Sequence, residues 1–260
     1  MIQATQPVGE LLRGWRRRRR MTQLDLALEA EISARHLSFV ETGRAQPSRE
    51  MLVHLADELE IPLRERNLLL VAAGYAPLFP ARSLDDPALE AARKAIDVVL
   101  QAQKPYPAFA LDRHWNMIAS NGALPTLYAG VKPELLAPPV NALRLSLHPE
   151  GLAPKIVNLG EWRAHLLARL RRQIHLTADA TLLALQKEVA AYPAPPAPGV
   201  SEHSVLIPLK LRFEESVLSF FSTTTLFGTP LDVTLSELAL ELFFPADAAT
   251  AAAVRSTAVH

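Results

Sequence analysis

The 260-residue chain contains no cysteine. Disulfides, thiolate metal sites and cysteine nucleophiles are therefore excluded, and the composition fits a reducing cytosol. Glycine is scarce, ten residues in all, and none is grouped into a phosphate-cradling loop. No apolar run approaches the length that spans a bilayer, and the N-terminus lacks a basic-then-apolar signal layout. A cytoplasmic protein with no membrane partner is expected. Neither an HExxH metal motif nor a GxSxG nucleophile turn occurs, and the eight histidines do not pair at ligand spacing. With no nucleophile–base pair to name, the expectation is a non-enzyme with no metal and no cofactor. Net charge is also missing, since 27 Lys+Arg balance 27 Asp+Glu. The balance hides a local excess: six arginines and no acid lie between Arg13 and Arg20. Such a block suits phosphate or another polyanion, although a solvated helix face would look the same from charge alone.

Hydrophobic residues make up 49% of the chain, ample for two packed cores. In the first third they recur at helical spacing. Val8, Leu11, Leu12 and Trp15 mark a helix over residues 8–20. Thr22 caps a second, with Leu24, Ala27 and Leu28 as its expected buried stripe. Ser33 caps a third from Ala34 to about Glu41, burying Leu37 and Val40, with Gly43 as the expected left-handed residue after it. Pro47-Ser48 opens a fourth, and Ile61-Pro62 a fifth that reaches Gly74. Residues 1–76 are thus expected to form an all-α, five-helix domain, followed by a linker over residues 77–86.

Residues 87–260 read differently. A helix over Pro87–Lys104 precedes two short strands, Tyr106–Asp112 and Trp115–Ser120. Residues 122–137 read as helical, and amphipathic helices follow at 160–174 and 178–191. After the proline-rich connection Tyr192–Gly199 come strands Val205–Phe213, Val217–Phe227 and Ser236–Phe244, with a turn at Gly228-Thr229-Pro230. The alanine-rich tail Asp247–Val254 offers a last helix. One antiparallel sheet with helices on one face satisfies this order, an α+β domain of a kind that often encloses a hollow.

The segment Thr22-Gln23-Leu24-Asp25-Leu26-Ala27, then Ile32-Ser33-Ala34-Arg35-His36-Leu37-Ser38, then Val40-Glu41-Thr42-Gly43-Arg44 has the layout of two helices joined by a short turn. The second helix of such a pair can lie in the major groove of double-stranded DNA. Gln23 is expected to donate to a phosphate beside the helix N-terminus. Arg35 suits guanine O6 and N7, and Ala34 is small enough for a thymine methyl. Ser33, His36, Ser38 and Phe39 share that rim, Arg44 follows where the DNA backbone should pass, and Arg16 and Arg19 represent the arginine block. Phe39 also reads as a core residue, and His36 as an idle surface one.

These residues closely resemble the helix-turn-helix of the xenobiotic-response-element (XRE) or Cro/C1 repressor family. More narrowly, Ser33–Arg44, Pro47-Ser48-Arg49-Glu50 and Arg64–Tyr75 resemble the MmyB-like regulators. The resemblance continues through Pro105-Tyr106-Pro107-Ala108, Trp115-Asn116, His148-Pro149-Glu150-Gly151, Asn158–Trp162, Phe220-Phe221-Ser222-Thr223 and Phe244-Pro245-Ala246-Asp247. It implies a transcription regulator with a C-terminal PAS-like ligand-binding domain. One departure is Glu31, where related turns carry glycine.

For that domain, Phe109, Trp115, Phe220 and Phe227 from the sheet and Trp162 and Leu166 from the 160–174 helix are the expected pocket lining, unless they merely fill the core. His165, Arg169 and Arg172 share a neighbouring helix face and are expected to approach one polar group. The expected partner is a small hydrophobic molecule, a fatty acid fitting both the apolar and the basic residues. A homodimer is expected because one short recognition helix covers few base pairs. An interaction module without a ligand remains the alternative.

Overall fold

The computed structural model of the chain describes residues 6–123, 125–196, 206–227 and 231–257. Contacts divide it into two compact units. One holds the residues up to Ser83 with His175–Thr177 and the described part of Pro230–Ser236; the other holds the remainder.

The first unit contains α1 (Val8–Arg18), α2 (Gln23–Glu29), α3 (Ala34–Glu41), α4 (Arg49–Glu58) and α5 (Leu63–Ala72). All five helices end the same way. The residue two past each helix takes positive φ: Arg20 (58°), Glu31 (51°), Gly43 (72°), Glu60 (47°) and Gly74 (85°). The next amide then reaches back five residues, Met21 N–H to the Arg16 carbonyl (3.2 Å), Ile32 to Ala27 (2.9 Å), Arg44 to Phe39 (2.8 Å), Ile61 to Ala56 (2.9 Å) and Tyr75 to Leu70 (2.8 Å). This ending satisfies the orphan carbonyls and turns the chain sharply. Glu31 therefore occupies a left-handed position of the kind glycine favours, which explains the glycine that related turns carry there.

The core of this unit is built from Leu12, Trp15, Leu26, Leu37, Val40, Leu52, Leu55, Leu59, Leu69 and Leu70. In α2 the expected stripe is rotated. Leu26 and Ala27 are buried, whereas Leu24 and Leu28 are 59% and 69% exposed. A seven-residue helix makes two turns, too few for periodicity to fix its inner face. α1 and α3 touch at Gly9, where a Cβ would sit 2.5 Å from the Val40 carbonyl oxygen.

The second unit begins with a 3-10 turn, Pro87–Leu89, that leads into α6 (Glu90–Ala102). Then follow β1 (Ala108–Leu111), β2 (Met117–Ser120), α7 (Ala142–Leu147), α8 (Leu159–Thr177), α9 (Ala180–Ala191), β3 (Leu209–Phe213) and β4 (Ser216–Leu226). The single turn α10 (Val233–Ser236) belongs to the first unit, and β5 (Ala239–Pro245) and α11 (Ala248–Thr257) complete the second. The five strands form one antiparallel sheet in the order β2-β1-β5-β4-β3, with α7 to α9 between β2 and β3 in the chain. This is the PAS-like α+β arrangement. Phe109 and Leu111 of β1, Leu209 and Leu211 of β3, Phe220 of β4 and Phe243 of β5 share one core with Trp162, Leu166 and Leu170 of α8.

Three expectations differ from the structure here. Residues 122–137 hold no α-helix among those described, only the 3-10 turns Pro125–Tyr128 and Pro133–Leu135. Pro133, inside the expected span, lacks the N–H that a continuous helix would use there. Trp115 precedes β2 instead of belonging to it, because the Asp112 carboxylate accepts from the His114 and Asn116 amides (2.8 Å each) and holds residues 112–116 in a turn. Trp115 itself takes φ 68°. β5 starts at Ala239, since Ser236 still belongs to α10. The start of the 205–213 strand, the end of the 192–199 connection and the 228–230 turn lie outside the described residues.

Candidate functional site

The helix-turn-helix is α2, the Ala30–Ser33 turn and α3. Its helices start where side chains satisfy their free amides. Thr22 accepts from the Asp25 amide (3.1 Å) while Asp25 accepts from the Thr22 amide (2.7 Å), and Ser33 accepts from the His36 amide (3.1 Å). α3 buries Leu37, Val40 and Glu41, and Ala34 packs against the same core, so the opposite face carries Arg35, Ser38 and Phe39. Arg35 is exposed, and its guanidinium carbon lies 5.4 Å from the centre of the Phe39 ring. Stacking of this kind holds the fork extended without neutralising it. His36 and Phe39 are half-buried, and Ser33 and Arg44 are exposed at the two ends.

The arginine block is divided. Arg16, expected on the DNA backbone, is buried: its Nε and Nη2 donate to the two Glu41 carboxylate oxygens (2.6 and 2.8 Å), and Nη1 donates to the Met21 carbonyl (2.9 Å). Arg19 is turned to the end of α4, donating to the carbonyls of Leu59 and Glu60 (2.8 Å each). Both corrections have one cause. Guanidinium groups on the inner edge of α1 meet a carboxylate and orphan helix carbonyls before they meet solvent. Gln23, expected at a phosphate, is half-buried and donates one hydrogen bond to Glu41 (2.8 Å). Arg17, Arg18 and Arg20 remain exposed.

Glu41 is the residue that sequence reading missed. It is 2% exposed and joins α1, α2 and α3 through Arg16, Gln23 and Arg13. Burial alone would raise its carboxyl, but the hydrogen bonds from Arg16 and Gln23 and the nearby positive charge hold it below the ordinary glutamate value. The available signal was its place in α3, four residues after Leu37 on the buried face.

In the second unit an apolar cavity of about 70 Å³ lies within the core. Of the expected lining, Phe109, Trp115, Trp162, Leu166, Arg169 and Phe220 are present; Tyr128, Ser146, Glu241 and Phe243 join them. Phe227 does not, because it follows the last residue of β4 and its position is odd where the inward Phe220 is even. Arg169 is the one expected basic residue that reaches the cavity, and it is already partnered. Its guanidinium grips Glu241 with two hydrogen bonds (2.8 and 2.9 Å), donates to Thr224 Oγ1 (2.8 Å) and lies 5.0 Å from the centre of the Trp115 ring. Glu241 is 3% exposed. Arg172 is exposed and His165 stacks on Trp162 at 5.5 Å, and neither lines the cavity. Burial and the Arg169 charge hold the His165 imidazole below its usual value, so it is neutral at pH 7. The three basic groups therefore do not converge. Their spacing on α8 is that of one face, but their partners differ.

The remaining polar groups are few. Ser146 accepts from the Trp162 indole (3.0 Å), and burial pushes the Tyr128 hydroxyl well above its usual pKa. Trp115 Nε1 donates to Gln173 (2.7 Å), which fixes the indole against the cavity. Beside the cavity runs a more open cleft of about 420 Å³, with Pro107, Leu127 and Phe220 lining both spaces. Among the described residues no cluster of three or more His, Asp or Glu could hold a metal, and no helix is long and apolar enough to cross a membrane.

A helix-turn-helix family model matches residues 12–66, which contain α2 and α3. Among curated proteins the chain is similar to the transcriptional regulator ClgR of Mycobacterium tuberculosis, in strains CDC 1551 / Oshkosh and ATCC 25618 / H37Rv. Each is 36% identical over 67 residues, or 26% of this chain. The chain spans 57% of the length of these relatives. The model of the MmyB-like transcription regulator ligand binding domain matches residues 92–256, which hold the sheet, the cavity and the cleft. Since that match covers more than half of the 260 residues, the chain belongs to the MmyB-like transcription regulators, with a helix-turn-helix ahead of that family's ligand-binding domain.

Proposed function

We propose that the protein is a one-component transcription regulator that binds its operator as a homodimer and senses a small hydrophobic molecule of the fatty-acid class. Residues 1–76 read DNA, residues 77–86 link, and residues 87–260 sense. The observation that carries this reading is the presence on one chain of an exposed, charged α3 face and an apolar hollow lined by aromatic rings. In the reading face Arg35 contacts a base, and Arg17, Arg18 and Arg20 contact phosphates in place of Arg16 and Arg19. A solid, filled interior would have favoured a pure interaction module.

The cavity, about 70 Å³, is well below the roughly 300–1,000 Å³ of ligand sites. The ligand must therefore widen it or extend into the adjoining cleft of about 420 Å³. Either event perturbs the sheet–helix packing of the second unit, and a differential affinity of about 1–3 kcal/mol between two dimer arrangements shifts operator binding five- to roughly a hundredfold. Native and denaturing mass spectrometry of the purified protein tests subunit count and retained ligand together. The operator, selected from a random duplex pool, is then titrated with and without fatty acids of graded length. A monomer at micromolar concentration with operator binding intact refutes the dimer. No retained molecule, and no change in Tm or operator affinity with any chain length, leaves the interaction module as the survivor.

A further inference from the structure

We infer that the cleft beside the cavity is the outer half of the ligand site and that Lys104 binds the ligand's anionic head. This inference rests on the ligand-sensing reading above, and it defines the ligand as a single-chain monoanion whose tail end enters the cavity.

The argument begins with size. The cavity alone is too small for a ligand of ordinary dimensions, whereas the cleft falls within the usual range. Among the described residues the two spaces share Pro107, Leu127 and Phe220 in their linings. A chain can therefore run from one to the other when Leu127 or Phe220 changes rotamer.

Charge decides where the head lies. The cavity's own cation, Arg169, is bound by both oxygens of Glu241 and by Thr224. A carboxylate arriving there would have to displace Glu241, leaving that buried group without its counterion. The neutral His165 offers no alternative. The cleft has the opposite character. Among the described residues no acid lines it, and Phe213, Leu218 and Val254 make much of its wall apolar. Asn121 lines it too, but its amide is used internally, accepting from Ala108 and Ala123 and donating to the Tyr106 carbonyl. Lys104 is the one charged group in the lining among the described residues. It is exposed, and no carboxylate among the described residues pairs with its ammonium. A head at Lys104 and a tail against Phe220 satisfy both ends of an amphiphile without breaking a buried ion pair.

The test uses delipidated full-length protein titrated with decanoate and with decan-1-ol, followed by the fluorescence of Trp115 and Trp162 and by Tm. Wild type should bind decanoate more tightly than the alcohol. Lys104→Gln should weaken decanoate by about five- to tenfold, to the level of the alcohol, and leave the alcohol unchanged. Lys104→Arg should retain the preference. Equal decanoate affinity in wild type and Lys104→Gln overturns the Lys104 assignment while the apolar-ligand reading stands. Loss of the preference in Lys104→Arg as well overturns the role of charge. Binding of neither compound by wild type removes the ligand-sensing reading itself, and this inference with it.

Discussion

Arg16 offers the sharpest test of how the first unit is held together, because sequence and structure assign it opposite roles. Consider Arg16→Met, which keeps most of the side-chain length and removes the charge. Glu41, whose side chain has no exposure, would keep Gln23 at 2.8 Å and Arg13 at 3.4 Å but lose its two shortest ionic hydrogen bonds. Removing one partner of a buried ion pair costs about 3–5 kcal/mol. With Gln23 and Arg13 still present the loss should lie near the lower end, about 3 kcal/mol. In a unit of this size each kcal/mol moves Tm by about 4–8 °C, so the expected drop is on the order of 12–24 °C. Combining Arg16→Met with Glu41→Leu should recover much of it, since no buried charge is then left alone. Differential scanning calorimetry reads the stability, and the salt dependence of operator binding reads the DNA role. The slope of log affinity against log salt should be unchanged in folded Arg16→Met, because the guanidinium faces Glu41 and not a phosphate. A wild-type Tm accompanied by a slope flatter by about one unit would refute the structural role. The pH dependence follows from the same pair. The Glu41 pKa is lowered in the folded state, so its contribution is fully present above the ordinary value of 4.5 and is lost as pH falls through the lower folded value. Wild type should therefore lose this component in acid, below about pH 4.5, and the double variant, Arg16→Met with Glu41→Leu, should not.

Three further outcomes are expected. Arg35→Ala should cost about 1–3 kcal/mol on the selected operator and relax one position of it, which competition with single-base variants would reveal; equal loss on random duplex would exclude base reading. Replacing Arg17, Arg18 and Arg20 by glutamine should weaken binding to every sequence and flatten the salt slope without moving Tm, whereas an unchanged slope would put these arginines off the DNA. Glu31→Gly should raise stability by about 0.5–1 kcal/mol, since the residue sits at φ 51°, where a Cβ is disfavoured; a lower denaturation midpoint would mean that the Glu31 side chain contributes more than its backbone costs.

What could be read from sequence and what could not divide along a physical line. Helix positions in the first unit followed from caps and periodicity, because Thr22, Ser33 and Ser48 act on amides within three residues of themselves. The alternation of Leu209, Leu211 and Phe213 with Lys210 and Arg212 likewise marked β3 and its inner face. Fates of individual charges were not legible, because they depend on partners far away in the chain. Arg16 and Glu41 are 25 residues apart, Arg19 and Leu59 are 40 apart, and Arg169 and Glu241 are 72 apart. Nothing local distinguishes Arg16, which is buried, from Arg17, which is exposed, except their angle around α1. The same limit misled the reading of the ligand site. His165, Arg169 and Arg172 do lie on adjoining positions of α8, but β5 supplies a carboxylate that captures the middle one. A buried acid at an inward strand position, Glu241 between Leu240 and Leu242, was the signal that a counterion waited across the cavity. Glu41 on the inner face of α3 is its counterpart in the first unit. In both units the informative residue was an acid in an apolar register: it fixes which nearby arginines are structural, and by elimination which cations, Arg35 and Lys104 among them, remain free to meet a ligand.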